Sequence, residues 1–169
     1  MRILGLDPGT ATTGFAILEK ENDKLKLIDY GCIKTEKTET PATRLKQIAN
    51  DLNLLIKTYK PEKASVEKLF FNTNIKTAIS VAQARGVLIM TLEENGIKSA
   101  EFTPLQIKSA ICGYGKADKK MVQTMVKTIL NLKETPKPDD AADAIAAAIC
   151  LANTNIPQGK NTQLQFFGQ

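Results

Sequence analysis

The sequence predicts an α/β fold in which a five-stranded mixed sheet is flanked by helices. Three apolar strand patterns with short connections, at residues 2–7, 13–18 and 25–33, favour an antiparallel meander. Two later strand patterns, at residues 64–70 and 98–102, each follow a helical pattern, which is typical of connections that cross the face of a sheet. At 169 residues, the chain is long enough for one domain with a sizeable core.

Helical patterns fill the connections and the C-terminal part of the chain. Thr40 and Pro41 begin a helix that runs to about residue 59, because Thr is a favoured N-cap and Pro a favoured first residue. Asn74 is placed to cap a helix over residues 75–94. That helix is apolar on more than one side, which suits either a subunit interface or a wholly intramolecular core helix. Further helices are predicted over residues 104–111, 119–132 and 138–152, and Asp118 is predicted to cap the second of these.

The absence of histidine restricts the chemistry that the chain can perform. It excludes Ser/His and Cys/His nucleophile pairs and His-ligated zinc. Catalysis would have to use carboxylates, lysines or a hard metal ion such as Mg²⁺ or Mn²⁺. Cys32, Cys112 and Cys150 are far apart in sequence and are interpreted as reduced thiols. Because neither a membrane-spanning pattern nor an export signal is found, we expect a cytoplasmic protein.

The net charge of +5 is unevenly distributed along the chain. Residues 101–137 contain seven lysines and only three acidic residues, whereas residues 138–152 contain three aspartates and no basic residue. A basic segment beside an acidic cluster suits a polyanion held over a metal site. A solvated lysine-rich surface is the alternative.

Four carboxylates stand where apolar residues would be expected. Asp7 and Glu67 lie at or near the ends of predicted strands, and Asp140 and Asp143 share one face of a helix that is otherwise rich in Ala, Ile and Leu. Asp139 points about 100° away from Asp140 and is interpreted as a neighbour of the cluster. As alternatives, Asp7 belongs to an Asp-Pro-Gly turn and the aspartates complement a helix macrodipole. The macrodipole explains Asp143, which lies among alanines, less well.

A cluster of carboxylates without a cation is unfavourable, because each one raises the pKa of its neighbours. Two Mg²⁺ ions per active site would relieve the repulsion, with Mn²⁺ able to substitute. Such a pair would also support phosphodiester hydrolysis, with one ion activating the water nucleophile and the other stabilising the leaving 3′ oxygen. This chemistry needs no histidine.

Five segments, taken in order, resemble the RuvC family of Holliday-junction resolvases. They are GLDPGTATTGFA, VEKLFFNTN, QARG, GYGKADKKMVQ and DDAADAIAAAI, and the match covers residues 1–152. Residues 153–169, which are rich in Asn, Gln and Thr, are interpreted as a mobile tail. The resemblance implies a ribonuclease H-like nuclease domain over residues 1–152. It also implies a homodimeric, Mg²⁺-dependent endonuclease that nicks opposed strands of a four-way junction symmetrically in recombination and repair. The four acids of the family fall on Asp7, Glu67, Asp140 and Asp143.

The resemblance also implies DNA contacts. The family's junction-contacting aromatic residue falls on Phe70, with Phe71 as the competitor because strand alternation points the two to opposite faces. An important lysine falls on Lys108, and another on Lys119 rather than Lys120. The complete set of predicted DNA-binding residues is Phe70, Asn74, Arg85, Lys108, Lys116, Lys119 and Lys120.

Partners other than junction DNA are also implied. The family resemblance suggests the branch-migration complex of RuvA and RuvB. Residues 163–167, with the sequence QLQFF, resemble the peptides that dock on the replication sliding clamp, although the two phenylalanines could instead fold back onto the domain.

Three rival functions share some of these sequence features. A related nuclease on the same fold and a junction-binding homologue that does not cut are the closest, and the complete acidic set favours cutting over mere binding. An actin-like or sugar-kinase-like ATPase would need two lobes and a second phosphate loop, which 169 residues cannot hold.

Overall fold

The computed structural model, which describes residues 1–68 and 75–154, contains a five-stranded mixed sheet. Its strands are β1 (Arg2–Asp7), β2 (Thr12–Glu21), β3 (Lys24–Lys34), β4 (Lys63–Glu67) and β5 (Lys98–Phe102). They lie side by side in the order β3-β2-β1-β4-β5. β2 is antiparallel to both β1 and β3, whereas β4 is parallel to β1 and to β5. The predicted meander and mixed sheet are confirmed.

Helices occupy the connections in the predicted order. They are α1 (Pro41–Tyr59), α2 (Ile75–Glu94), α3 (Pro104–Cys112), α4 (Lys119–Ile129) and α5 (Asp139–Asn153). The Thr40 side chain accepts from the Thr43 N–H, and the Asp118 side chain accepts from the Met121 N–H. Each satisfies a backbone donor that the first turn leaves free. The caps predicted for α1 and α4 are therefore present, whereas the predicted Asn74 cap lies outside the described residues.

Two element ends differ from the prediction. The fourth strand was expected to reach residue 70, but β4 ends at Glu67. Its neighbours β1 and β5 end at the same level, so no strand remains for it to pair with. The helix expected to reach residue 132 ends at Ile129. Two residues later, Asn131 takes a left-handed conformation with φ of 50°. The predicted tail lies outside the described residues from residue 155 onward.

The helices cover both faces of the sheet and form two cores. On one face, Leu4 and Leu6 of β1 pack with α1 and α2. On the other face, Ile3 packs with α3, α4 and α5. Because side chains alternate along a strand, Asp7 shares the face of Ile3 and points to the α5 side. None of the described helices combines the length and apolar character that a membrane span requires.

Helix α2 has one side in the core and another exposed. Ala84, Leu88 and Leu92 are fully buried, whereas Ile79 and Met90 are exposed. The exposed side is available for a partner, so the subunit-interface interpretation stays a prediction.

Two glycines allow α5 to lie unusually close to the sheet. A Cβ atom at Gly5 would lie 2.1 Å from the Ala144 carbonyl oxygen, and one at Gly14 would lie 1.9 Å from the Asp140 carbonyl oxygen. Any larger residue would push the helix away. The close approach explains why nearly all of α5 after Asp143 is buried.

Candidate active site

Two carboxylates lie at the same edge of the sheet. Asp7 ends β1 and Glu67 ends the parallel neighbour β4, and the register pairs Leu6 with Val66 immediately before them. Since both follow the paired residues by one position, their side chains lie on the same face. That face is covered by α5.

Helix α5 adds two more carboxylates from its first turns. Gly14 is paired with Asp7 across the β1–β2 ladder, and the Asp140 carbonyl lies against Gly14. Asp140 is therefore next to the end of β1. Asp143 lies one helical turn further along on the same face as Asp140.

The pKa values show that the four carboxylates form one electrostatic cluster. The pKa of Asp7 is raised from 3.8 to about 8, first by burial and then by Glu67, Asp143 and Asp140. Burial, followed by Asp143, raises the pKa of Glu67 from 4.5 to about 7. Burial also raises the pKa of Asp143, against the opposing effect of Lys119. Each ionised group thus disfavours ionisation of its neighbours.

A lysine links the cluster to the surface. The Lys119 Nζ atom lies 3.2 Å from Asp143 Oδ2 and 3.2 Å from Asp139 Oδ2. The Asp139 side chain is largely exposed, and its pKa is lowered by hydrogen bonding to Lys119. Asp139 also accepts a hydrogen bond from Gln123 at 3.0 Å. Asp139 thus lies at the rim of the cluster.

A cavity of about 180 Å³ opens beside the carboxylates. It is lined by Glu67, Pro104, Ile107, Lys108, Lys119, Val122, Asp143 and Ala146. Two lysines therefore face the same space as two of the carboxylates. Such a combination can accept a phosphate group while holding a cation.

The carboxylates fit a hard divalent ion by donor type. All four offer oxygen ligands, which Mg²⁺ and Mn²⁺ prefer. A cation would also relieve the repulsion that raises the pKa values of Asp7 and Glu67. Within residues 1–68 and 75–154, however, no three acidic or cysteine side chains converge closely enough to hold an ion as they stand. The fit of these residues to a divalent ion therefore rests on their oxygen donors and on their clustered negative charge.

The other predicted DNA-binding residues are more dispersed. Lys108 lines the cavity, and Lys116 and Lys120 are exposed on the nearby α3–α4 segment. The Arg85 guanidinium is paired with Glu101 at 2.5 Å. Phe70 and Asn74 lie outside the described residues.

Threonines that the sequence interpretation did not single out brace the turn after Asp7. The Thr13 hydroxyl donates to the Gly9 carbonyl at 2.6 Å, and the Thr35 hydroxyl donates to the Thr10 carbonyl at 2.6 Å. The Thr10 hydroxyl in turn donates to the Ser80 carbonyl in α2, also at 2.6 Å. The sequence feature that could have indicated these bonds is the cluster of threonines around the Pro-Gly turn, because short hydroxyl side chains form hydrogen bonds with nearby backbone groups.

Gly5 and Gly14 are the other positions that the sequence interpretation missed. Glycine inside a buried strand pattern often marks a close approach of another backbone, and this was the signal in the sequence.

Known proteins resemble this chain over most of its length. Residues 3–151 match the family model described as crossover junction endodeoxyribonuclease RuvC. The crossover junction endodeoxyribonuclease RuvC of Finegoldia magna is 51% identical over 150 residues, which is 89% of this chain and 92% of that protein.

Solved structures of RuvC proteins resemble the fold of this chain. A Thermus thermophilus RuvC structure has a TM-score of 0.83 at 32% identity and covers 90% of this chain and 93% of that one. The T. thermophilus RuvC in complex with a Holliday junction substrate has a TM-score of 0.81 at 30% identity, with the same coverage. Sequence, family model and fold agree, and the chain belongs to the RuvC family of crossover junction endodeoxyribonucleases.

Proposed function

We propose that this chain, as an endodeoxyribonuclease of the RuvC family, resolves four-way DNA junctions by paired, symmetric nicks. Hydrolysis takes place at a centre formed by Asp7, Glu67, Asp140 and Asp143. The observation that carries this proposal is that the ends of β1 and β4 lie beside the first turns of α5. This arrangement brings four carboxylates together, and only a cation or protons can balance their negative charge. The solved junction complex of a 30% identical relative supports junction DNA as the substrate.

The four acids would hold two divalent ions, Mg²⁺ or Mn²⁺. When bound, the ions supply Lewis-acid assistance to the attacking water and to the departing 3′ oxygen. The chain's own contribution is to hold the carboxylates in place. Gly14 sets the depth of α5, and the threonine bonds around residues 9–13 hold the turn that follows Asp7.

Two lysines of the cavity would bind the backbone phosphates beside the cleaved bond. Lys108 and Lys119 face the same cavity as Glu67 and Asp143. Phosphate contacts of this kind supply affinity and register without reading sequence. Lys119 would also favour the ionised form of Asp143, since its ammonium group opposes the rise in pKa that burial causes in that carboxylate.

A wider DNA surface and several partners complete the proposal. Phe70 would stack on a base at the crossover, and Asn74, Arg85, Lys116 and Lys120 would add further contacts. The exposed side of α2 would join two copies into the homodimer that paired nicks require. The branch-migration complex of RuvA and RuvB would act on the same junction. Docking of residues 163–167 on the sliding clamp stays a prediction from sequence alone.

Cleavage of synthetic four-way junctions in Mg²⁺, compared with linear duplexes of the same sequence, tests the proposal. Symmetric nicks in two opposed strands of the junction, with the duplex left intact, are expected. Equal cutting of the duplex would indicate a general nuclease on the same fold. Tight junction binding without cutting would indicate a homologue that only binds.

A further inference from the structure

A group of exposed apolar side chains near the cavity has no role in the cores described above. Leu105 is 62% exposed, Tyr114 48% and Met121 41%. They come from the first turn of α3, the α3–α4 loop and the first turn of α4. We call these three side chains the apolar platform. The same two helices supply Lys108 and Lys119 to the cavity, and Leu105 and Met121 are next in sequence to Pro104 and Val122, which line it.

The platform is a preformed surface. The Tyr114 hydroxyl donates to the Met121 Sδ atom at 2.7 Å. A Cβ atom at Gly115 would lie 2.6 Å from Leu105 Cγ, so Leu105 packs over the loop backbone beside Tyr114. The loop begins at Gly113, whose φ of 81° ends α3 in the left-handed conformation. Because both ends of the loop are anchored, the aromatic ring is presented to solvent in a defined place.

Lysines flank the platform. Lys116 and Lys120 lie on the loop and the first turn of α4 and are exposed, whereas Lys119 is paired with Asp139 and Asp143. The carboxylate of Asp118, which lies among them, accepts a hydrogen bond from the Met121 N–H at 2.8 Å as the cap of α4. A second copy of this chain would bring like charges together on this surface. Nucleic acid instead supplies phosphates for the lysines and flat apolar faces for the ring.

Resting on the proposed function, we propose that Tyr114 is a DNA-contacting residue. Its ring, supported by Leu105 and Met121, packs against a nucleotide of the strand whose phosphates Lys116 and Lys120 hold. This contact anchors the junction beside the cavity and gives the loop a role beyond its lysines. Because the contact is with a base or deoxyribose face, it contributes affinity that salt does not screen.

Junction binding by fluorescence anisotropy, measured in EDTA over a range of salt concentrations, tests this proposal. Tyr114→Ala should weaken binding at least fivefold, because base–aromatic stacking contributes about 1–3 kcal/mol, with the salt slope unchanged. Tyr114→Phe should bind within about threefold of the unmodified protein, since it keeps the ring. The matched control is Leu54→Ala, which removes a 64% exposed side chain of α1 on the other face of the sheet and should leave binding unchanged.

Several results would overturn the proposal. Unchanged affinity of Tyr114→Ala, an equal loss in Tyr114→Phe, or a reduced salt slope would each do so. If Tyr114→Ala differed from the unmodified protein in the molar mass measured by light scattering, the platform would instead be a contact between copies of the chain. If the unmodified protein shows no preference for junctions, both this proposal and the proposed function fail. If it binds junctions tightly and Tyr114→Ala matches it, this proposal alone fails.

A second measurement does not depend on the folding of a variant. Junctions that carry 5-iododeoxyuridine near the crossover can be cross-linked to the unmodified protein, and the attached residue identified by mass spectrometry. Attachment at Tyr114 is expected. Cross-links confined to other parts of the chain would contradict the proposal.

Discussion

Gly14 of β2 and Asp140 of α5 are in backbone contact, so close that a Cβ atom at Gly14 would lie 1.9 Å from the Asp140 carbonyl oxygen. Gly14 is also the residue paired with Asp7 across the ladder. Gly14, together with Gly5, therefore limits how near the helix carboxylates come to the strand carboxylates. The depth of α5 on the sheet is a condition for the active site as much as for the core.

Gly14→Ala should damage both stability and cleavage. The added methyl group meets backbone, which cannot rotate away, so α5 must shift, at a cost of about 1–3 kcal/mol or more. Urea unfolding and Mg²⁺-dependent junction cleavage measure the two effects. Gly86→Ala is the matched control for stability, because a Cβ atom there meets nothing within 4 Å. The control should be neutral or stabilising by up to about 1 kcal/mol. Equal free energies of unfolding for the two variants would contradict the close contact.

Asp7→Asn should change how the stability of the metal-free protein depends on pH. The pKa of Asp7 is raised from 3.8 to about 8, so its favourable contribution is present below pH 3.8 and is lost as the pH rises through about 8. The unmodified protein in EDTA should lose stability across that window, and Asp7→Asn should lose less. Thermal unfolding at a series of pH values provides the measurement. Parallel curves for the two proteins would show that Asp7 ionises normally.

Mg²⁺ should be required at higher concentration when the pH is low. Protons compete with the ion for Asp7 and Glu67, whose pKa values in the metal-free protein are about 8 and about 7. Raising the pH from about 6.5 to about 8.5 should lower the half-saturating Mg²⁺ concentration by about tenfold or more. Cleavage rates at constant ionic strength, titrated with Mg²⁺ at each pH, test this. A half-saturating concentration independent of pH would contradict the assigned ligands.

Lys108→Ala should weaken junction binding and reduce its dependence on salt. Loss of one phosphate contact lowers the slope of log affinity against log salt by about one. Lys57→Ala provides the control, since Lys57 is exposed on α1, on the opposite face of the sheet from the cavity. If Lys108→Ala keeps the slope and cutting rate of the unmodified protein, Lys108 is a surface lysine with no role in DNA binding.

The sequence predicted the fold because its signals are local. Strand alternation, the Thr40 and Asp118 caps and the short links of the meander can each be recognised within a few residues, and all are present in the structure. The end of β4 at Glu67 was mispredicted because a strand stops where its neighbours stop, which is a property of the sheet as a whole.

In the candidate site, too, some residues could be predicted from local sequence and others depend on the assembled fold. Asp7, Glu67, Asp140 and Asp143 stood out because each carboxylate interrupts an apolar pattern. The role of Gly14 could not be predicted, because it depends on where α5 crosses the sheet. The bridge from Lys119 to Asp139 and Asp143 likewise depends on the relative placement of α4 and α5.

The most direct test of the account is Mg²⁺-dependent junction cleavage by Asp7→Asn, with junction binding measured on the same preparation. The account predicts that cleavage falls by several orders of magnitude while binding in EDTA stays close to that of the unmodified protein. Near-normal paired nicking by Asp7→Asn in Mg²⁺ would contradict the central claim that these four carboxylates form the catalytic centre.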